Sequence, residues 1–430
     1  MRDADLDWLL DVLRVASVSP LEGGEPRATG DAQRRVSAGA LARGFRASPP
    51  HVPGAAVLAD PDLPTAVREA IASGEGDFLE EQSTVILSIG DTTDPRRTIV
   101  FNFHIDTVGP HIEPSLDGGC LRGRGAVDAK GPGIAALIGI ADAFSDQPDL
   151  RERIGVVVTV VPGEEGGAFG FYGTKDVLRR PDVRGALMVF LEPTSQRVVD
   201  SASGVMTPEL VVAGDDSTDD APQSGTNATL VLAHAAVELV TQLAPVAEGV
   251  GAKLCVAGIH TGSEHNRVYG SGSLKLNIAY YDDAARDAMG RAVTEAVEML
   301  GPDFARRFGH LAVMQRTAVE HDDVFALRWQ KRGVPALENR DTRLEAVLSR
   351  SGFRRAEEPP VEVAFTCDAV WGSGRDEYVV VLGPGDLGRN GAHTADEHVD
   401  LDELDEFSRR VRMLMSEFAG ELAGPEADQG

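Results

Sequence analysis

Two histidines and seven carboxylates fall in five short segments of this chain, and imidazole with carboxylate is the donor set of catalytic metal centres. The first segment is Phe103-His104-Ile105-Asp106-Thr107. The second runs Gly123-Arg124-Gly125-Ala126-Val127-Asp128-Ala129-Lys130-Gly131. The third is Pro162-Gly163-Glu164-Glu165-Gly166, and the fourth Leu191-Glu192-Pro193-Thr194. The fifth is Gly391-Ala392-His393-Thr394-Ala395-Asp396-Glu397. Taken singly each is weak, because a lone His near a strand end is usually a satisfied polar residue and a Glu-Glu pair is usually solvated surface. Placement changes that reading. Open α/β sheets build their sites at the carboxyl ends of strands. Four of the segments sit at or just past predicted strands, and the fifth lies in a loop after another.

The elements that must position these residues can be read from hydrophobic spacing. Leu6, Leu9, Leu10, Leu13 and Ala16 recur at helical intervals, and Ser19-Pro20 closes that helix. Residues 21–82 are rich in Gly, Pro and Ala and predict surface connections with one short helix near 66–72. Short β-rich runs follow at 84–89, 98–103, 155–161 and 186–191, with a small-residue helix at 133–143. Strands alternating with helices predict an α/β sheet flanked by helices. A second unit then reads strand 209–213, helix 227–243, strands 253–259 and 274–281, helix 284–300 and strand 311–316. Gly301-Pro302 is expected to stop its second helix. That order is the split β-α-β-β-α-β, ferredoxin-like arrangement. The α/β pattern resumes with a strand at 378–382. A final helix starts after Asp400 with acids in its first turns, and its buried stripe is Leu401, Leu404, Phe407, Val411, Leu414 and Phe418. The tail from Gly424 is expected to be disordered. The domain reading is therefore 1–204, an inserted unit at 205–319, and 320–430.

The five segments, in this order, resemble the zinc hydrolase family of acetylornithine deacetylase, succinyl-diaminopimelate desuccinylase, aminoacylase and related carboxypeptidases and dipeptidases. The likeness spans nearly the whole chain and includes an inserted lid of the right size. It implies a dizinc aminopeptidase-like catalytic domain with that lid. It implies that His104, Asp128 and Glu192 hold one metal, and that Asp128, Glu165 and His393 hold the other, with Asp128 bridging. Such ligands suit zinc and tolerate cobalt or manganese. The resemblance also makes Glu164 the general base, acting on a water shared by two cations during hydrolysis of an amide. Asp106 lies two residues from His104, so in an extended segment both side chains point the same way. Its carboxylate is expected to accept from the second imidazole nitrogen and fix the metal-binding tautomer.

The inserted unit departs from the family pattern. Where family lids carry a His, this chain has Thr218, although Gly214, Pro222, Gly225, Asn227 and Ala228 match. An Arg expected at the end of the third lid strand is missing from Asn277-Ile278-Ala279-Tyr280-Tyr281. Arg267, His260 and His265 are nearby replacements, and the acidic loop Asp215-Asp216-Ser217-Thr218-Asp219-Asp220 reads as a solvated turn or a selector of cationic substrates. The substrate class stays a small N-acylated amino acid (a deacylase) or a peptide (a dipeptidase or carboxypeptidase). A non-catalytic relative that keeps the fold is the third reading.

Bulk properties narrow the partners. A net charge of −27 repels nucleic acid and anionic membranes, which excludes both as main partners. No apolar run reads as approaching the roughly 20 residues of a membrane span. Met1-Arg2-Asp3-Ala4-Asp5 has no apolar signal core, and the three cysteines (Cys120, Cys255 and Cys367) are widely spaced, so the expected compartment is cytoplasmic. Family lids often dimerise through an edge strand and helix, which makes a homodimer through the lid one expected arrangement. One rival motif, Gly383-Pro384-Gly385-Asp386-Leu387-Gly388, spells Gly-x-Gly-x-x-Gly after a strand. A Pro inside the turn and the short chain that follows leave no room for a dinucleotide-binding unit.

Overall fold

The structure is a computed structural model and describes residues 1–73, 78–320, 325–356 and 366–423, so the expected disordered tail lies outside the described residues. The chain divides into two compact units, Met1–Ala202 with Leu337–Gly430, and Ser203–Ala336.

In the first unit, helix α1 (Asp3–Leu13) is followed by α2 (Pro26–Leu41), a full helix where surface connections were expected. Its sequence hides the stripe, because Thr29 and Gln33 stand among the buried Ala32, Val36 and Ala40. Gln33 is held by the carbonyls of Ser83 and Val160. Strands β1 (Val85–Gly90), β2 (Thr98–His104), β3 (Gly155–Val161) and β4 (Leu187–Phe190) match the predicted runs closely. Helix α3 (Lys130–Asp146) lies between β2 and β3 and is buried along nearly its whole length. Its small residues are what allow this. A Cβ on Gly133 would sit 2.4 Å from the Phe103 ring, and one on Gly139 would sit 2.3 Å from the Ser408 carbonyl.

The second unit begins with β5 (Gly204–Ala213) and continues through α4 (Ala228–Val250), β6 (Lys253–His260), β7 (Ser271–Tyr280), α5 (Asp283–Phe308) and β8 (Phe325–Lys331). Its sheet is antiparallel in the order β6-β7-β5-β8. The split arrangement is present, but its last strand is not the expected one. Residues 311–316 form a 3-10 turn leading into the short helix Gln315–Val319, because Met314, Thr317 and Ala318 are buried at helical spacing while Leu311 and Val313 face out. β8 supplies the fourth strand by pairing with β5, and the unit therefore runs past the expected end at 319 to Ala336. α5 also runs through Gly301-Pro302 instead of stopping there. Proline removes one helical N–H, yet Leu300 and Phe304 on either side are buried in the unit's core and hold the helix on. α4 is long and apolar enough, by length and composition, to cross a membrane, against the expectation that no run came near. Within this unit its Val231, Leu232, Ala235, Leu239, Leu243 and Ala247 pack into the core beneath the sheet.

The chain then returns to the first unit with β9 (Tyr378–Val381) and α6 (Leu401–Leu422). The six-stranded sheet is ordered as the short strand Arg46–Ala47, then β1, β3, β2, β4 and β9. β3, β2, β4 and β9 run parallel. β2 and β3 are buried at every residue, the mark of central parallel strands covered on both faces. Their carboxyl ends open on one edge, and the ligand-type residues lie along it.

Candidate active site

Each predicted site residue is held by a strand end or a loop anchored to one. His104 is the last residue of β2. Glu164 and Glu165 follow β3 across Pro162-Gly163, where Gly163 has φ +75° and a Cβ would strike the Tyr172 ring at 2.3 Å. Glu192 follows β4. Asp128 closes the loop that feeds α3. His393 sits in the loop after β9 with φ +64°, a left-handed conformation uncommon for a side chain with a Cβ and often found at functional sites.

These residues converge. His104 Nε2 lies 3.0 Å from Asp128 Oδ1, and His393 Nε2 lies 3.0 Å from Asp128 Oδ2. His393 Nε2 is also 3.1 Å from Glu165 Oε1, and His104 Nε2 is 3.8 Å from Glu192 Oε1. Donor atoms of His104, Asp128 and Glu192 all lie within 4.8 Å of one another, as do those of Asp128, Glu165 and His393. Asp128 belongs to both groups and offers one oxygen to each.

Apart from the exposed His393 and the half-buried Glu164, the cluster is buried, and it is strongly anionic. Burial and the neighbouring Glu165 push Glu164 well above the usual carboxylate range, and burial with Asp128 does the same to Glu192. Burial also works against a charge on Asp128, but hydrogen bonds from His104 and His393 outweigh it and hold this carboxyl low. Burial likewise disfavours a charged His104, yet Asp128 and Glu192 raise it well above the ordinary histidine value. Bonds to Asp128 and Glu165 lift His393 to about 10. Both imidazoles thus face carboxylates with the same Nε2 atoms that would bind cations. The donor types and their spacing fit two divalent ions.

Asp106 does not act as expected. The His104 Nδ1–H donates to the backbone carbonyl of Asp106 at 2.8 Å, while the Asp106 carboxylate stands 3.8 Å away. That carboxylate instead accepts the backbone N–H of Glu164 at 3.3 Å and of Glu165 at 3.1 Å. With its main chain fixing the ring, the side chain is free to fasten the glutamate pair.

Three further residues support the site and had no role in the sequence reading. Glu397 is buried and accepts Arg124 Nη1 at 2.5 Å, Gly125 N–H at 2.9 Å and Val127 N–H at 3.2 Å. It therefore clamps the Asp128 loop to the His393 loop. Lys130 is buried, donates to the Val15 carbonyl at 2.9 Å and is pushed down to about 7 by burial, with Glu397 and Asp106 opposing. Glu397 and Lys130 stand inside the motifs, which was the available signal. Asp368 carried none. It is buried, bonded to Thr174 and to Asn102 Nδ2, and comes from a segment with no motif.

A family model described as Peptidase family M20/M25/M40 matches residues 100–417, which hold every residue of this cluster. The chain belongs to that family. Among curated M20 relatives, the succinyl-diaminopimelate desuccinylase of Variovorax paradoxus is 25% identical over 362 residues, covering 78% of this chain and 85% of its own. The "Probable carboxypeptidase" of Ajellomyces dermatitidis is 27% identical over 200 residues, 41% of this chain and 44% of its own. The match thus spans less than half the length of that relative. Among solved structures, the M20 family metallo-carboxypeptidase Sso-CP2 of Sulfolobus solfataricus aligns over 97% of this chain and 100% of its own at a TM-score of 0.70 and 13% identity, a likeness of fold.

The candidates of the inserted unit are occupied locally. Thr218 is exposed in a two-residue strand, Ser217–Thr218, paired with Arg267–Val268. Asp216 holds Arg267 and the Gly270 N–H, and Asp215 pairs with Arg316 at 2.5 Å. Half of the acidic loop is therefore structural.

Proposed function

We propose that this chain is a two-metal hydrolase of amide bonds in small N-acylated amino acids, that is, a deacylase. The observation that carries this is the pair of 3.0 Å contacts by which the two Asp128 oxygens face different imidazoles, His104 and His393, each beside its own glutamate. His104, Asp128 and Glu192 would hold one ion, and Asp128, Glu165 and His393 the other. Zinc suits this set best, with cobalt or manganese tolerated. Two such ions supply Lewis acidity, acidifying a water and polarising the scissile carbonyl. Glu164 needs no ligand role. It would take the proton of the attacking water and return one to the leaving amine. Asp106 keeps that base in place through the two backbone N–H groups.

A peptidase reading is favoured by the carboxypeptidase names among the relatives, and it uses the same residues. The inserted unit serves as the lid, and a homodimer forms through it. The strongly negative charge argues against nucleic-acid and membrane partners, and the spaced cysteines support a cytoplasmic setting.

The test is turnover of N-acyl amino acids and dipeptides before chelation, after it, and after zinc is restored, alongside Glu164→Ala. Chelation should abolish activity and zinc should return it. Glu164→Ala should lower kcat by about 10²–10⁴-fold with metal content intact. Full turnover after thorough chelation would end the proposal.

A further inference from the structure

The inserted unit carries another set of metal-type donors, entirely its own. His234 and Glu238 are four residues apart on α4 and so share one face of that helix. Asp303 comes from α5, which packs against it. One donor atom from each of the three lies within 4.8 Å of the other two.

Beyond this proximity, the imidazole itself points to a ligand. His234 is only 8% exposed, and its Nε2 is buried with no hydrogen-bond partner among the described residues. Buried polar atoms are nearly always satisfied, so an orphaned ring nitrogen on a histidine grouped with two carboxylates calls for an explanation. The rings of Phe304 and Phe308 pack steeply inclined to the imidazole at centroid distances of 5.7 and 5.5 Å. The carboxylates pair with arginines. Glu238 Oε1 takes Arg307 Nη1 at 3.2 Å, and Asp303 pairs with Arg306. Both guanidinium groups are mostly exposed, and exposed pairs of this kind are weak and easily exchanged. Each carboxylate also keeps a second oxygen.

We propose that His234, Glu238 and Asp303 form a divalent-cation site of the zinc class that ties α4 to α5. One imidazole with two carboxylates favours zinc-class ions over calcium or magnesium, which prefer all-oxygen sets. Three protein donors leave a fourth position for water.

The experiment counts zinc bound per chain in untagged, full-length protein, stripped by chelator and reloaded by equilibrium dialysis. The variants are His234→Phe, which refills the space between the two phenylalanines, and Glu238→Gln, whose side chain is near the surface. Each should lose one equivalent of zinc while amide hydrolysis is retained. The same one-equivalent loss should appear in an Asp128→Asn background, so the result does not depend on the centre at Asp128. A protein that binds zinc only through His234 would uphold this site and sink the two-metal proposal. An unchanged count in either variant would overturn the site.

Discussion

Asp106 is the residue whose chemistry is least obvious from its neighbours. Its carboxylate is fully buried, and burial pushes its pKa up, against the pull of His104 and the two backbone N–H groups it accepts. It keeps the Pro162–Glu165 turn from drifting, and so sets where Glu164 and Glu165 stand relative to Asp128. The wrong substitution would leave the ligands present but misplaced. Asp106→Ala is therefore expected to lower kcat or metal affinity by roughly 10–100-fold, the usual effect of removing such a support. The His104 tautomer should survive, because its Nδ1–H is held by a main-chain carbonyl. Nuclear magnetic resonance of the His104 ring would show this, and a changed tautomer would mean that the carboxylate orients the ring after all.

Among elements, the strands and terminal helices were legible because their apolar spacing is strong, as in 155–161, where seven residues in a row are buried. His104, Glu165 and Glu192 sit at or just past strand ends, whereas Asp128 and His393 lie on loops, and their roles were legible through the motifs that carry the family resemblance. α2 was not, because its buried face includes Thr29 and Gln33, whose partners come from distant strands. Nor was the swap of 311–316 for β8, which depended on what could pair with β5. The exit of α5 beyond Pro302 depended on Phe304 finding a core that no local pattern reveals. α1 and α2 show how such elements are fixed. The Trp8 ring lies where a Cβ on Gly39 would sit, and Asp5 accepts from Arg2 Nε and Arg43 Nη2, both at 2.6 Å. Burial opposes the Asp5 charge, but both arginines together hold its pKa below the usual carboxylate range. A carboxyl depressed in the folded state adds stability above its unfolded pKa, near 3.9, and loses it as pH falls through the folded value. Asp5→Asn should therefore cost roughly 1–2 kcal/mol at pH 7, a modest figure because Arg2 is exposed. The difference should shrink below about pH 4. Urea midpoints of both proteins across that range test it, and a pH-independent gap would remove the electrostatic explanation.

At the scale of the whole molecule, a net charge of −27 favours separation of copies, so association needs a patch where charge is sparse. The two edges of the inserted sheet differ in this respect. Beside β8 a cavity of about 390 Å³ is lined by Arg286, Arg291, Arg332, Glu295 and Glu298, a hydrated and charged edge. β6 and α4 carry several exposed apolar residues, with Val256 at 38%, Ile259 at 44%, Val237 at 64% and Val240 at 38%. Exposed edge strands invite a second chain, and exposed apolar side chains add to the attraction. The register of β6 against β7 shifts between Val256 and Gly258. Backbone pairing is thus interrupted there, and side chains must carry much of the contact. An isologous dimer brings each patch against its own copy, so one substitution strikes the interface twice. Val237→Glu with Ile259→Lys should turn a dimer into a monomer, read by light scattering across a concentration series. A wild-type protein that is monomeric at high micromolar concentration would dispose of the dimer. A dimer unaffected by the pair would move the interface away from β6, toward the charged edge.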